Sequence, residues 1–248
     1  MSLLLVNAFP NAAHRESVYV TNGNVNEILH LEQFAEEQVS IEKGIDVVTS
    51  FSSTHNISDE DILDYSYRPS NTNAFVFDIY NPTINHEEAH NKFMSVVKQL
   101  GSRLIVMDLN GDPESEVVSN LMDECDVILY IFRPIIQEVE EAKRYYDSLD
   151  DDEKLRVKFV CNMWDVLGVK KKSVQDIIKI RTNNILWFPY HTNIQRTMFE
   201  GRLCVLNRLM IEGRDGCVSL RQPIKDILSF VCDTPSMKII KEVNKWEL

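Results

Sequence analysis

Two histidines four residues apart, His86 and His90 in the stretch NHEEAHNKF, have a spacing that could do chemistry. On a helix they would share one face, the i,i+4 arrangement of a zinc-binding HExxH helix. A zinc site also needs a third ligand, and none is evident, so the pair reads as part of a solvated helix face. A second set is cationic: Lys170, Lys171, Lys172, Arg196, Arg202, Arg208, Arg214 and Arg221. Such a set neutralises nucleic-acid phosphates or meets an acidic protein surface. No aromatic residue is interleaved in it as a stacking platform, and the chain carries a net charge of −12, so nucleic acid is not expected. Cys125, Cys161, Cys204, Cys217 and Cys232 form no CxxC pair. All but Cys217 lie among apolar neighbours and read as small buried side chains of a reducing compartment.

What is missing narrows the chemistry further. A nucleotide site closes backbone N–H groups around phosphate, which takes glycine. None of the 8 glycines is followed by lysine, so the GxxxxGK[ST] loop does not occur, and neither does GxGxxG. The stretch after the first apolar run, NAFPNAAHRESVY, holds no glycine at all, and Pro10 removes a donor.

The elements that must position these residues follow from hydrophobic period. Residues 3–8 (LLLVNA) and 17–21 (SVYVT) read as strands, the second ended by the turn signal Asn22-Gly23-Asn24. Residues 25–42 begin as a helix, and IDVVTSF after Gly44 reads as a strand. Ser58-Asp59-Glu60-Asp61 has the pattern of a helix cap. From residue 74 strands and helices alternate. AFVFDIY (74–80), RLIVMDL (103–109), VILYIF (127–132), VKFVCNM (157–163) and ILWF (185–188) are strands. Residues 86–100, 114–123, 137–149, 172–181, 194–211 and 220–231 are helices, and the acidic run Asp150 to Glu153 reads as a loop. Alternation at this spacing implies βαβ crossovers and a doubly wound, mostly parallel α/β sheet flanked by helices. No repeat or Pro/Gly/Ser linker divides the chain, so residues 1–234 read as one domain and 235–248 as a tail.

Charge is uneven along the chain. Residues 1–153 hold 9 Lys and Arg against 29 Asp and Glu, and residues 154–248 hold 17 against 9. A chain so polarised can steer charged partners or stack head to tail. The start, MSLLLVNAFP, lacks the basic region of a signal peptide, and no apolar run approaches the about 20 residues of a membrane span. The expected location is cytoplasmic. In the tail, Met237, Ile240, Val243 and Trp246 recur every three residues beside Lys238, Lys241 and Lys245. As a helix this is a short amphipath with a cationic rim, suited to docking on protein or to peripheral contact with the inner face of a membrane.

From about residue 74 onward the order of elements resembles the MinD/ParA family of deviant-Walker P-loop ATPases, including its CpaE/TadZ-like members. Three segments carry the resemblance: RLIVMDLNGDPESEVVSNLMDECDVILYIFRP, VKFVCNMWD and ILWFPYHTNIQRTMFEGRLCV. The resemblance implies a P-loop NTPase-like fold. It puts Asp108 where the family holds a magnesium-linked aspartate, with Asn110, Gly111, Asp112 and Pro113 as its switch loop. It puts Asn162 and Pro189 beside the adenine, and Arg196 and Gly201 on the following helix. The N-terminal third departs: where the family has its glycine-rich lysine loop, NAAHRES offers Arg15, and the space to residue 17 is short for the usual first helix. The site of Arg15, Asp108, Asn162 and Pro189 is therefore expected to be vestigial, with no catalytic residue, no metal and no cofactor. ATP and magnesium belong to the alternative, a divergent ATPase acting in cellular positioning or plasmid partition. The expected function is a non-catalytic adaptor or scaffold that positions or assembles a larger bacterial machine. Its partners would be proteins, a second copy among them, met through Lys170, Lys171, Lys172, Arg196, Arg202 and Trp246.

Overall fold

The computed structural model describes residues 17–21, 43–52, 57–67, 74–78, 94–100, 103–109, 116–165, 167–180, 184–200, 206 and 216–233. Contacts divide the chain into two units, Met1–Leu121 with Arg196–Arg208, and Met122–Gln195 with Leu209–Leu248. Each has its own parallel three-stranded sheet and its own core.

The sheet of the first unit contains β1 (Ser17–Thr21), β2 (Ala74–Asp78) and β3 (Leu104–Asp108). Its order is β2-β1-β3, so the short SVYVT strand is central. A central parallel strand is covered on both faces, and Ser17, Val18, Tyr19 and Val20 are all buried. Helix α1 (Ile45–Ser52) and helix α2 (Asp59–Asp64) also belong here. The expectation of a strand at IDVVTSF is corrected. A short apolar run has the same hydrophobic signature as strand or helix, and burial decides: Val48 joins the core with Ile62, Leu63, Phe75 and Phe77. Gly44 supplies the entry to α1 with φ of 113°, a backbone that side chains avoid, and its N–H donates to the carbonyl of Tyr65. The cap at Ser58 forms as the sequence predicts: the hydroxyl of Ser58 accepts from the N–H of Asp61, whose carboxylate accepts from the N–H of Ser58. Residues 94–99 are helical, with Val96 and Leu100 in the core.

Helix α3 (Glu116–Asp123) leads into the second unit. Its sheet runs β4 (Ile128–Phe132), β5 (Val157–Trp164), β6 (Ile185–Pro189), with β5 central. The other elements of this unit are α4 (Ile136–Ser148), α5 (Asp151–Arg156), α6 (Lys171–Ile178), a 3-10 turn (Cys217–Leu220) and α8 (Arg221–Asp233), while α7 (Thr192–Phe199) begins here and from Arg196 belongs to the first unit. The core joins Val139 and Ala142 of α4 and Val174 and Ile178 of α6 to Phe159 and Cys161 of β5. The acidic run expected as a loop is the first turn of α5. Asp150 accepts from the N–H of Glu153 and Glu153 accepts from that of Asp150, while Asp151 and Asp152 sit at the positive end of the helix dipole.

The strand expected over 3–8 lies outside the described residues, as do the helix expected over 25–42 and the tail. Among the described residues no helix is long and apolar enough to cross a membrane, and no three His, Cys, Asp or Glu side chains are placed to hold a metal.

Candidate functional site

In a parallel sheet, ligands meet the loops beyond the carboxyl ends of the strands. In the first unit the register sets Asp78, Thr21 and Asp108 level at that edge, one on each strand. Adjacent strands lie about 4.8 Å apart, so the two outer aspartates start about 10 Å from each other. Asp108 is half-buried. The hydroxyl of Tyr19 donates to its Oδ2 at 2.6 Å. Register makes this contact local: Tyr19 pairs with Val106, and Asp108 is two residues further on, at the diagonal position of the same face. Sequence reading found Asp108 but not Tyr19, which is 89 residues away. It also passed over Asp78, although AFVFD and LIVMD share a terminal aspartate.

In the second unit, Asn162 and Pro189 both stand at the carboxyl edge. The side-chain oxygen of Asn162 accepts from the N–H of Met163 at 2.9 Å. Met163 has φ of 56°, a left-handed conformation that costs a non-glycine residue about 1 kcal/mol. The β5–β6 register shifts here, between Cys161 and Trp164, so that Trp164 pairs with Pro189. The N–H of Tyr190 then donates to the Trp164 carbonyl at 2.9 Å. Beyond Pro189, Nδ1 of His191 faces the N–H of Asn193, and its Nε2 faces the Gly216 carbonyl. The hydrogen on that ring therefore belongs on Nε2.

The three lysines part company. Lys171 Nζ lies 4.5 Å from the ring centre of Trp164 and 5.1 Å from that of Trp187. The two indoles meet edge to face at 5.8 Å, and Trp164 Nε1 donates to the Val169 carbonyl. The linear sequence shows no aromatic within the basic run, yet two from separate strands lie under it. Lys170 and Lys172 are exposed, as is Arg196 in the last turn of α7. Arg15, Arg202, Trp246, His86 and His90 lie outside the described residues.

No family model matches the sequence, and no curated protein matches it. Solved structures do match the fold, which is that of the MinD/ParA P-loop NTPases. MinD of Pyrococcus horikoshii, in complex with Mg-ADP, superposes with a TM-score of 0.62 at 13% identity, over 94% of this chain and 91% of that one. A ParA family ATPase from Chlorobium tepidum gives 0.61 at 13% identity, over 88% and 90%. The MinC:MinD cell division complex of Aquifex aeolicus gives 0.58 at 12% identity, over 89% and 88%. Likeness at this identity is one of fold.

Proposed function

We propose that this chain is a non-catalytic adaptor or scaffold with the MinD/ParA fold, which positions or assembles a larger bacterial machine through protein contacts. The observation that carries the reading is the Tyr19–Asp108 bond. A magnesium-linked aspartate needs its oxygens for the ion and its water shell, and a triphosphate needs a cradle of amides and a lysine. Here Asp108 is bonded within its own sheet, Asn162 turns its acceptor onto Met163, and no glycine in the chain precedes a lysine. One oxygen of Asp108 and the side-chain acceptor of Asn162 are thus engaged within their own sheets, which supports a reading without a magnesium nucleotide, and no step is routed through one. A fold neighbour described in complex with MinC supports a role in protein assembly.

A thermal melt with and without millimolar Mg-ATP tests the reading. A nucleotide at 100 times its Kd adds about 2.7 kcal/mol, a rise of roughly 5–10 °C for a chain of this size. The expected result is no rise for the wild type or for Asp108→Asn. A rise in the wild type that Asp108→Asn abolishes would replace the scaffold by the divergent ATPase. The tail contact is tested separately: a chain cut at Pro235 should pellet less with anionic liposomes if the tail holds membrane.

A further inference from the structure

The second unit is polarised along its strands, with an exposed apolar residue in a charged setting at each end. At the amino edge, two segments lead into β4 and β5. They expose Asp123, Glu124, Asp126, Asp150, Asp151 and Asp152. Arg156 binds the segments together: its guanidinium donates to the carbonyls of Met122, Asp123 and Cys125, each at 3.1 Å. Among the described residues, cations near this edge include Arg156 itself, Lys154, whose Nζ lies 5.2 Å from the Tyr146 ring centre, Lys158, over the Phe230 ring, and Lys179. In the midst of the carboxylates Leu155 is 78% exposed.

The carboxyl edge has the opposite sign. Met163, near the end of β5, is exposed, and after the strand come Leu167 and Val169, of which Leu167 is 91% exposed, and then Lys170, Lys171 and Lys172. Ile135 and Ile136 after β4 and Tyr190 after β6 extend the apolar rim. Two carboxylates near it are engaged locally: Glu138 takes the guanidinium and the N–H of Arg133, and Asp165 accepts from the N–H of Leu167. Exposed apolar residues gathered from three consecutive loops mark an interaction surface.

We propose that these two edges recognise each other between copies of this chain, stacking it head to tail. Charge complementarity selects the occupant. Edge on like edge would set lysine against lysine or aspartate against aspartate, a juxtaposition that costs several kcal/mol. Within one copy the edges cannot meet, because the eight-residue β5 alone separates them by about 26 Å. Leu167 and Val169 of one copy pack on Leu155 of the next, and Lys170 and Lys172 lie over Asp150, Asp151 and Asp152. The contact is heterologous, so it propagates into a ring or an open filament rather than closing as a symmetric pair. It rests on the adaptor reading, naming a second copy as the partner met through Lys170 and Lys172, and its test reads association and not nucleotide binding, so the two can fail separately.

Sedimentation velocity on the full chain, over a concentration series at low and high salt, tests it. Wild type is expected to form species beyond a dimer that recede with salt. Leu167→Glu and Leu155→Lys are each expected to weaken association by at least about tenfold, as is the double variant Lys170→Glu, Lys172→Glu. All sites are exposed, and thermal melts matching wild type confirm folding. Mixing Leu167→Glu with Leu155→Lys restores association, because each variant keeps one intact edge for the other and the altered edges are themselves complementary. A wild type that stays monomeric throughout overturns the proposal. So does association that Leu167→Glu abolishes and Leu155→Lys leaves untouched, which is the mark of a symmetric contact.

Discussion

The hydroxyl of Tyr19, in the central strand of the first sheet, donates to the carboxylate of Asp108 at 2.6 Å. Tyr19 is 2% exposed, so the bond sits where water does not compete freely. Hydrogen bonds to charged groups are worth about 1.5–3 kcal/mol. Tyr19→Phe is expected to lower stability by about 2 kcal/mol, read from urea denaturation. Asp108→Asn in the Tyr19→Phe background should then cost little more. A coupling near zero in this double-mutant cycle would mean that Asp108 is free for other work.

Arg156 is the second test of how the site's framework is held. One nitrogen reaches the carbonyls of Met122 and Asp123 in the last turn of α3 and of Cys125 just past it, and a second lies 3.5 Å from the Asp123 carboxylate. A cation at a helix carboxyl end meets the negative pole of its dipole and satisfies its last carbonyls. Arg156→Ala is expected to cost about 2–3 kcal/mol, because the carbonyls lose a charged donor. Arg156→Lys should recover only part of this, since an ammonium lacks the planar fork. Chemical denaturation of the three proteins gives the answer.

Lys171 should behave differently from its neighbours. Its ammonium lies over two indole rings, each worth about 0.5–1 kcal/mol at a partly exposed site. Lys171→Ala is expected to cost about 1 kcal/mol and to shift the emission of Trp164 and Trp187. Lys170→Ala and Lys172→Ala should each stay within about 0.5 kcal/mol of wild type, the usual range for surface sites. Equal effects at all three positions would contradict the stacking.

These contrasts show where sequence reasoning reaches and where it stops. Strand ends are legible, because a run of apolar residues closing on a polar one, LIVMD or VKFVCN, marks both the buried strand and its exposed end. The pattern bounds the strands, and the resemblance to the MinD/ParA family is what singles out Asp108, Asn162 and Pro189 near their ends. The Ser58 cap was legible because all its atoms lie within four residues. IDVVTSF was not, since seven residues fit either period and only the burial of Val48 chooses. The run at 150–153 has the charge of a solvated loop, yet the reciprocal bond between Asp150 and Glu153 makes it the start of a helix. Tyr19 under Asp108, and Trp164 and Trp187 under Lys171, join residues from different strands. No local pattern announces such a pair.

The half-buried thiol of Cys125, the buried thiol of Cys161 and one phenol make stability fall at alkaline pH. Burial pushes Cys125 up to about 11 and Cys161 up to about 12, and it raises Tyr145 to about 12. The Tyr145 hydroxyl is buried without a hydrogen-bond partner, which adds nothing to hold its anion. In the unfolded chain thiols ionise near pH 8.5 and phenols near pH 10. Between those values and the folded ones, the unfolded state has fewer protons than the native state, so unfolding becomes easier as pH rises. Near pH 7 all three groups are almost wholly protonated in both states and contribute almost no slope. Each group that titrates only on unfolding removes about 1.4 kcal/mol per pH unit. Urea midpoints are therefore expected to hold from pH 7 to 8 and to drop steadily above pH 9. Cys161→Ala and Cys125→Ala should each flatten that drop, whatever they do to stability at pH 7. A drop of unchanged steepness in both variants would show that other groups drive the alkaline transition.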